Sequence, residues 1–578
     1  MKCVNENVDK GFSKNMIPSE QNRTGYPHID RPWQKYFKQE LFDGGYPEGS
    51  VYDYVYEMNK DRLNETAISY FGKKISYGNL FGRVDRCAKA LINVGIKKGA
   101  IVSICMLMCP EVAELLLAIN RIGAISNFIP VNSTAQEIKK SLLLVESSIV
   151  FVSDMVEKAV KEASEGTAIS RIICVSATNS APWYIRLLTK NISSCEAYNN
   201  FLQVSNDVGI PSLCVNADDV AVLEYTSGTT GESKACMLTN RSLNNAGYHD
   251  NRTEGLFDLH SGQTILASIP PFLAFGLVMN VIMPLQVGLE LIMIPDPSPE
   301  SVAKAVVKHK PNHIVTGPTQ VDVIVELATQ KKLNMSFIRT LCCGGDKLDD
   351  NWVNKINNWL STNGASHRLT NGYGMTETSA LFAECPDVTD FMIPIYLNNV
   401  MVLDSDTNEC LKFGEIGEIC VSGPGLMKGY YKKEKETSEV FFDKDGITWM
   451  KTGDLGYVGE NGEFVITGRI KRIFWGMGSD QIVYRIYPMA IEEVVSKCEL
   501  VKHCAVIGKR NGNLGYLPIL YIVPIEGSSK DEIEKGVMDL CKDNLKENSY
   551  PAQIIFIEKL PITKAGKVDY RKLEEMCE

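Results

Sequence analysis

Short apolar runs alternate with amphipathic segments along much of this chain, and this alternation limits the available folds more than any other feature. After a strand at Ala67–Phe71, the pattern predicts a helix from Tyr77 to about Val94, a strand at Ala100–Leu107 and a helix at Pro110–Ile122. The same alternation recurs from Asp219 to about Gly345. Strands that alternate with helices of about 10–15 residues are typical of parallel βαβ units. We therefore predict the α/β class, with two similar α/β lobes.

The length of the chain requires more than one domain. It has 578 residues, of which 44% are hydrophobic, enough to bury several cores. We predict an irregular extension over residues 1–45 that wraps the surface, a large domain over residues 46–470 and a small α+β domain over residues 471–578. Within the large domain, the later part is predicted to form a β-rich subdomain with hairpins at Gly414–Gly423 and Gly462–Gly468.

Composition excludes several classes of protein. A net charge of −10 and a pI near 5.5 give no electrostatic preference for nucleic acid or an anionic membrane. The 17 scattered cysteines are typical of a reducing compartment, so we expect a cytoplasmic protein without a signal peptide. The most hydrophobic run, Val278–Pro295, is interrupted by polar residues, and we expect buried strands there rather than a transmembrane segment. The histidines show no metal-ligand spacing.

One segment has the composition of a phosphate-binding loop. Tyr225–Lys234 interleaves two glycines with hydroxyl side chains and ends in a lysine. Glycines allow backbone N–H groups to face an anion, and the lysine supplies a positive charge. A Walker loop requires its lysine directly after the last glycine, whereas Glu232 and Ser233 intervene here. A P-loop kinase or GTPase is therefore disfavoured.

A second segment, Asn371–Thr378, places an aromatic residue between two glycines before a hydroxyl and a carboxylate. Tyr373 offers a flat face for a purine. Thr376 and Glu377 offer oxygen ligands for Mg²⁺, which binds through one or two carboxylates and phosphate oxygens. The alternative interpretation is an ordinary tight turn.

Two later segments carry isolated charged residues. Lys451–Gly456 contains Asp454 and is followed by Gly468–Arg472, while Leu560–Lys567 ends in a glycine and a lysine. Taken alone, Asp454 would cap its own backbone in a turn. Lys567 would be a solvated surface residue.

In this order, the four segments resemble those of the adenylate-forming superfamily, which includes acyl-CoA synthetases, aryl-CoA ligases, firefly luciferase and peptide-synthetase adenylation domains. The resemblance extends from about Ala67 to Leu573 and includes the Gly344–Asp346 turn and Gly425–Tyr431. It implies a large nucleotide-binding domain followed by a small mobile domain. It also implies that ATP, Mg²⁺ and a thiol co-substrate, coenzyme A or a phosphopantetheine, take part in the reaction.

The resemblance also implies which residues contact the nucleotide. The β- and γ-phosphates of ATP would be held by Thr226, Ser227, Gly228, Thr229, Thr230, Gly231 and Lys234. The adenine side of the site would include Gly345, Asp346, Asn371, Gly372, Tyr373, Gly374 and Met375. Thr376 would contact the α-phosphate and Glu377 would hold Mg²⁺. Asp454 would bind the ribose hydroxyls, with Arg469 beside it.

Lys567 corresponds to the lysine that bridges the acyl carboxylate and the α-phosphate during adenylation. The resemblance also implies that Lys471 falls at the family's hinge, about which the small domain would rotate between the two half-reactions. The implied reaction forms an acyl-AMP and pyrophosphate from a carboxylic acid and ATP, and a thiol then displaces AMP.

This sequence departs from the family pattern at several positions. In Pro270–Gly276, Leu273 stands where many CoA ligases carry histidine, and no nearby aspartate is present to pair an amino acid's ammonium group. An amino-acid substrate is therefore disfavoured. Arg472–Pro488 is longer than expected for the loop that lines the pantetheine tunnel, which weakens the assignment of CoA. Glu232 and Ser233 replace the proline that is common before the loop lysine.

Three hypotheses remain open. The leading one is a ligase that makes an acyl-CoA or aryl-CoA thioester. The second is a free-standing ligase that loads an acyl or aminoacyl group onto a carrier protein, which the long loop favours. The third is a non-catalytic homologue that binds acyl groups or nucleotides. A luciferase-like oxygenation is disfavoured, because nothing in the sequence requires it.

Overall fold

The computed structural model describes residues 23–38, 46–188, 193–203, 209–211, 214–226, 233–252, 259–345, 348, 350–386, 391–477, 483–511, 515–563 and 567–577. Within these ranges the chain has a mixed α/β fold with two large sheets, a smaller antiparallel sheet and a C-terminal α+β region. This confirms the predicted fold class. None of the helices in these ranges is long and apolar enough to cross a membrane.

The first part of the chain builds hairpins and βαβ units. Its elements are α1 (Pro27–Asp30), α2 (Val51–Asn59), β1 (Thr66–Tyr70), β2 (Lys73–Ser76), α3 (Tyr77–Asn93), β3 (Ile101–Cys105), α4 (Pro110–Arg121), β4 (Ile125–Phe128), α5 (Ala135–Val145), β5 (Ile149–Ser153), α6 (Glu157–Ser164), β6 (Arg171–Val175), α7 (Trp183–Leu188), β7 (Glu196–Ala197), α8 (Tyr198–Phe201), β8 (Val220–Tyr225), β9 (Ala235–Thr239) and α9 (Asn240–Arg252). Side-chain caps fix the N-termini of several helices. The Ser76 side chain caps α3, and Thr134 and Glu137 form a reciprocal capping box at α5.

The middle of the chain continues this pattern and then changes to short strands. Its elements are β10 (Thr264–Ala267), α10 (Ala274–Leu277), α11 (Met283–Val287), β11 (Glu290–Met293), α12 (Pro299–His309), β12 (His313–Thr316), α13 (Pro318–Gln330), β13 (Thr340–Gly344), α14 (Asp350–Thr362), β14 (Leu369–Tyr373), β15 (Ala383–Glu384), β16 (Ile393–Pro394), β17 (Asn399–Leu403), β18 (Gly417–Ser422), α15 (Glu434–Val440), β19 (Phe441–Lys444), β20 (Ile447–Val458) and β21 (Phe464–Arg469). A π-helical turn, Val278–Ile282, joins α10 to α11.

The C-terminal region is smaller. Its elements are β22 (Phe474–Met477), β23 (Val483–Ile486), α16 (Pro488–Ser496), β24 (Val501–Arg510), β25 (Tyr516–Pro524), α17 (Lys530–Asn544), β26 (Gln553–Phe556) and α18 (Tyr570–Cys577). The strands β24, β25 and β26 form one sheet with apolar clusters on both faces, and β22 pairs with β23 as a hairpin.

The two large sheets are not consecutive in sequence. Among the described strands, the first sheet has the order β7-β6-β5-β3-β4-β8-β9, and the second has the order β16-β15-β14-β13-β12-β10-β11-β1-β2. The N-terminal hairpin β1–β2 therefore joins the second sheet, where Ile68 lies opposite Leu291. Sequence periodicity indicates strands but not their partners, because strand pairing is a long-range contact.

Three local expectations were wrong. Gly414–Gly423 is not a hairpin, because Gly417–Ser422 is a single strand between β17 and β20. The Val278–Pro295 run is mainly helical before β11, since a helix enclosed by core on all sides can be apolar all round. Gly462–Gly468 is likewise not a hairpin by itself, because Phe464–Arg469 is a single strand paired with β20.

Candidate active site

The β8–β9 hairpin closes the base of the glycine-rich loop. The Thr226 amide donates to the Lys234 carbonyl oxygen at 2.9 Å, and the Ser233 hydroxyl donates to the Thr226 carbonyl oxygen at 2.6 Å. Ser227, Gly228, Thr229, Thr230 and Gly231 lie outside the described residues, so their phosphate contacts remain predictions. The ladder between Thr226 and Lys234 fixes the two ends of the loop.

The Lys234 side chain lies over an aromatic ring that also contacts the predicted magnesium ligand. Lys234 Nζ is 4.4 Å from the centre of the Tyr430 ring, and the Tyr430 hydroxyl donates to Glu377 Oε1 at 2.9 Å. Burial and the negative charge of Glu377 raise the pKa of Tyr430 above its usual range, so the phenol keeps its proton. The Lys234 ammonium group, the Tyr430 phenol and the Glu377 carboxylate therefore lie next to one another.

A strained turn presents Thr376 and Glu377. Ser379 and Ala380, which follow this turn, have φ angles of 53° and 78°, in a region that residues other than glycine rarely adopt. The Met427 amide donates to the Glu377 carbonyl oxygen at 2.8 Å and ties the turn to the segment before Tyr430. A side chain at Gly374 would collide with the Ala380 carbonyl, so only glycine fits there.

Tyr373, Asp454 and Arg469 form the second cluster of the site. The Tyr373 hydroxyl donates to Asp454 Oδ2 at 2.6 Å, and Arg469 Nε lies 2.8 Å from Asp454 Oδ1. Asp454 is only 2% exposed. Burial raises its pKa, while the positive charge of Arg469 and the hydrogen bond from Tyr373 act in the opposite direction. Asp454 and Arg469 are opposed on β20 and β21, which explains their meeting despite their separation in sequence.

The charge of Lys567, in the C-terminal region, also acts on this cluster. Its positive charge is one of the influences that lower the pKa of Asp454. The Lys567 carbonyl oxygen accepts from the Thr563 amide at 2.7 Å, and residues 564–566 lie outside the described chain. The predicted catalytic lysine and the predicted ribose ligand are therefore close enough to interact electrostatically.

The remaining predicted residues lie at the carboxyl ends of β13 and β14 or near the start of the C-terminal region. Asn371 and Gly372 belong to β14, and Met375 follows it, with its amide donating to Thr378 Oγ1 at 3.0 Å. Gly345 follows β13 with a φ angle of 91°, and Asp346 lies outside the described residues. Lys471 is exposed on a short turn after β21, and its hinge role stays a prediction.

Sequence reasoning did not assign a role to Tyr430. The sequence feature that could have identified Tyr430 is its position directly after Gly429, within the Gly425–Tyr431 segment that resembles the adenylate-forming superfamily. Gly429 has a φ angle of 141°, and the chain there pairs with β9, where the Met237 amide donates to its carbonyl oxygen at 2.9 Å. This pairing places Tyr430 beside Lys234.

The donor set fits a magnesium ion that is carried by a nucleotide. Among the described residues, no group of three or more histidine, cysteine, aspartate or glutamate side chains could hold a metal by itself. Mg²⁺ normally keeps water and phosphate ligands and needs only one or two carboxylates. Glu377 alone is therefore sufficient on the protein side.

Two family models match parts of this chain. Residues 56–431 match the AMP-binding enzyme family, and residues 490–567 match the AMP-binding enzyme C-terminal domain. The chain is 26% identical to a probable 4-coumarate–CoA ligase 3 of Dictyostelium discoideum, over 85% of this chain and 88% of that protein. It is also 26% identical to a long-chain-fatty-acid–CoA ligase of Bacillus subtilis, over 89% of this chain and 92% of that protein.

A solved structure shares the fold. The crystal structure of ATP-bound MatB from Rhodopseudomonas palustris superposes with a TM-score of 0.78 at 23% sequence identity, covering 91% of this chain and 98% of that chain.

Proposed function

Because this chain belongs to the AMP-binding enzyme family, we propose that it activates a carboxylic acid with ATP and transfers the acyl group to a thiol. The product would be an acyl-CoA or aryl-CoA thioester, as the names of the curated relatives suggest. One observation carries this proposal. The Asp454 carboxylate accepts a hydrogen bond from Tyr373 and is paired with Arg469, and the positive charge of Lys567 in the C-terminal region acts on the same carboxylate.

In the first step, a carboxylate oxygen of the acid attacks the α-phosphorus of ATP, and the bond from that phosphorus to pyrophosphate breaks. Lys567 neutralises the negative charges that meet as the acyl oxygen approaches the α-phosphate. Lys234 and the loop that begins at Thr226 hold the departing phosphates. Asp454 accepts hydrogen bonds from the ribose hydroxyls, and the Tyr373 ring stacks on adenine.

A magnesium ion held by Glu377 would supply further neutralisation of the phosphates. The hydrogen bond from Tyr430 fixes the orientation of the Glu377 carboxylate. The same phenol ring carries Lys234 on its face, so one aromatic residue orients both charged groups.

In the second step, the thiol sulfur attacks the acyl carbon, the carbon–oxygen bond to AMP breaks and the thiol proton passes to solvent. We assign residues 46–470 to the large domain and residues 471–578 to the small domain, which rotates at Lys471 between the steps. Lys471 is exposed and the turn around it is short, which supports a hinge at this position.

A carrier protein is the second candidate acceptor. The described parts of Arg472–Pro488 form the β22–β23 hairpin, in which Arg485 contacts Asp406, in the connection between β17 and β18, at 2.5 Å and lies 4.8 Å from the centre of the exposed Trp475 ring. This hairpin presents the exposed Trp475 ring beside Arg485. An exposed aromatic ring favours recognition of a macromolecule.

The test is acid-dependent release of pyrophosphate from Mg-ATP, screened over short, medium and long fatty acids, aryl acids and amino acids. Each acid is assayed alone, with CoA, with a phosphopantetheinylated carrier protein and with hydroxylamine. Release that rises with CoA supports the CoA ligase, and release that rises only with the carrier protein supports the second candidate. If no acid releases pyrophosphate, the proposed ligase activity is wrong and the non-catalytic hypothesis replaces it.

A further inference from the structure

The strand that carries Asp454 contains a bulge at that residue. In the antiparallel ladder between β18 and β20, the register shifts so that Ile419 of β18 lies opposite three residues of β20, 452–454. Bulges bend a strand, redirect its side chains and are frequent beside active sites. The Asp454 side chain therefore leaves β20 from an irregular stretch of backbone, where the regular ladder does not satisfy every amide and carbonyl group.

The Thr452 hydroxyl bridges this bulge with two hydrogen bonds. Its oxygen accepts from the Asp454 amide at 3.0 Å, and it donates to the Ile419 carbonyl oxygen at 2.8 Å. A threonine hydroxyl that bonds to the backbone two residues further on is a recurrent turn motif. Thr452 is only 7% exposed, so removal of its hydroxyl would leave two buried backbone groups without these partners, which is unfavourable.

The position between Thr452 and Asp454 favours glycine. Gly453 has a φ angle of 73°, in the left-handed region that residues with a side chain rarely adopt. This conformation turns the chain within the strand, and the Asp454 amide then reaches the Thr452 hydroxyl. The order threonine, glycine, aspartate therefore suits a compact turn built into a strand.

The turn determines where the acceptor sites of Asp454 point. Arg469 Nε lies 2.8 Å from Oδ1 of this carboxylate, and the Tyr373 hydroxyl donates to Oδ2 at 2.6 Å. A carboxylate has about four acceptor sites, and these two contacts use one site on each oxygen. Each oxygen can therefore accept a further hydrogen bond, as the two neighbouring hydroxyls of a ribose require. The direction of these sites depends on the backbone of Asp454, which the Thr452 hydroxyl holds.

We propose that Thr452 is a positioning residue for the ribose of ATP, because its hydroxyl holds the bulge that directs the Asp454 carboxylate at the ribose hydroxyls. This inference rests on the proposed function, in which Asp454 binds the ribose, and adds a residue that does not itself contact the nucleotide. The purely structural alternative is that Thr452 only stabilises the ladder between β18 and β20. A positioning residue affects recognition of the ribose hydroxyls more than binding of the remaining nucleotide.

The experiment compares the binding of ATP with that of dideoxy-ATP, which lacks both ribose hydroxyls, by titration calorimetry with Mg²⁺ and without acid. We expect the wild type to bind ATP about 10- to 100-fold more tightly, because hydrogen bonds to a charged group are lost with the hydroxyls. Thr452→Val keeps the shape of the side chain without its hydroxyl and should reduce this ratio to less than about threefold. Thr452→Ser keeps the hydroxyl and should retain the ratio within about twofold.

Further variants and a kinetic readout separate positioning from folding. Thr448→Val changes another threonine of β20, whose hydroxyl donates to the exposed Asp443 at 2.7 Å, and should leave the ratio unchanged. Thr452→Ala also removes the hydroxyl and replaces Thr452→Val if thermal unfolding shows that the valine variant is not folded. In the pyrophosphate assay, Thr452→Val should raise the KM for ATP by about tenfold while largely sparing kcat and the KM for the acid.

The outcomes are distinguishable. A reduced ratio in Thr452→Val, with the wild-type ratio kept in Thr452→Ser and Thr448→Val, supports the inference. An unchanged ratio in Thr452→Val, or equal weakening of both nucleotides, overturns it in favour of the structural alternative. A wild type that binds both nucleotides equally, or neither, also overturns it. Calorimetry requires no turnover, so the absence of pyrophosphate release with every acid would refute the ligase activity alone.

Discussion

Replacing Tyr373 with phenylalanine tests the nucleotide site with the smallest change. The substitution removes one hydroxyl and keeps the ring, whose centre lies 5.0 Å from that of Phe464. Asp454 loses the bond at 2.6 Å and keeps the contact with Arg469 at 2.8 Å. Hydrogen bonds to charged groups contribute about 1.5–3 kcal/mol. The remaining contact with Arg469 offsets only part of this loss, because the Arg469 side chain is 39% exposed and solvent screens its charge.

We expect the lower part of that range, about 1.5–2 kcal/mol, because Arg469 still holds the carboxylate. If Asp454 binds the ribose, this loss corresponds to a rise of about 10- to 30-fold in the KM for ATP. The KM for the acid should not change. The assay is initial-rate pyrophosphate release with ATP varied at saturating acid, and thermal unfolding checks that the variant is folded.

The pH dependence gives a second measurement on the same variant. The hydrogen bond from Tyr373 lowers the pKa of Asp454, so its removal raises that pKa further above the ordinary value. Protonation of Asp454 removes an acceptor for the ribose. On acidification, the KM for ATP should therefore begin to rise at a higher pH in Tyr373→Phe than in the wild type.

The matched control is Tyr457→Phe, on the same strand as Asp454. Within the described part of the chain, no hydrogen bond of the Tyr457 hydroxyl is found. An ATP KM within twofold of the wild-type value in Tyr373→Phe, or an equal rise in Tyr457→Phe, would refute the proposed role of the Tyr373–Asp454 bond.

Three further predictions concern other parts of the molecule. Lys567→Ala should slow adenylation by about 10²- to 10³-fold yet largely spare thioester formation from supplied acyl-AMP, which is measured by consumption of the adenylate. Tyr430→Phe should raise the Mg²⁺ concentration needed for half-maximal pyrophosphate release by about tenfold, because Glu377 loses its hydrogen bond. His28, packed edge-on against Trp449, has its pKa lowered to about 4 by burial. As the pH falls below about 6.5, His28 takes up a proton in the unfolded state but stays neutral in the folded state. The stability that neutral His28 provides above about pH 6.5, up to about 3 kcal/mol, is therefore lost as the pH falls towards 4. His28→Phe should accordingly lose less melting temperature than the wild type on acidification.

The first two of these predictions have matched control variants. Lys559→Ala changes another lysine of the C-terminal region, exposed on the segment after β26, and should leave both half-reactions intact. Tyr431→Phe removes the neighbouring phenol and should leave the Mg²⁺ requirement unchanged. Equal loss of both half-reactions in Lys567→Ala, an unchanged Mg²⁺ requirement in Tyr430→Phe, or parallel acid curves for His28→Phe and the wild type would each contradict the corresponding assignment.

The family was identifiable from sequence because its motifs are local. Each of the four segments is a short run whose glycines, hydroxyls and charges can be recognised without knowledge of their partners, and the match over residues 56–431 confirms that recognition. The predicted α3 and α4 were also found close to their expected bounds, because amphipathic periodicity and the residues at their starts are local signals. The helical nature of Val278–Ile282 was missed because an all-apolar run has no periodicity to interpret.

The sequence by itself determined which segments carry the chemistry and the α/β class, since both depend on neighbouring residues and on the periods of strands and helices. Only the tertiary structure decided which residues meet. The contacts of Tyr373 with Asp454, Tyr430 with Glu377 and His249 with Glu384 join residues 81, 53 and 135 positions apart. Their pairing follows from strand register and from the packing of α9 between the sheets. Such long-range contacts are selected by the burial of the whole core, which no single segment encodes.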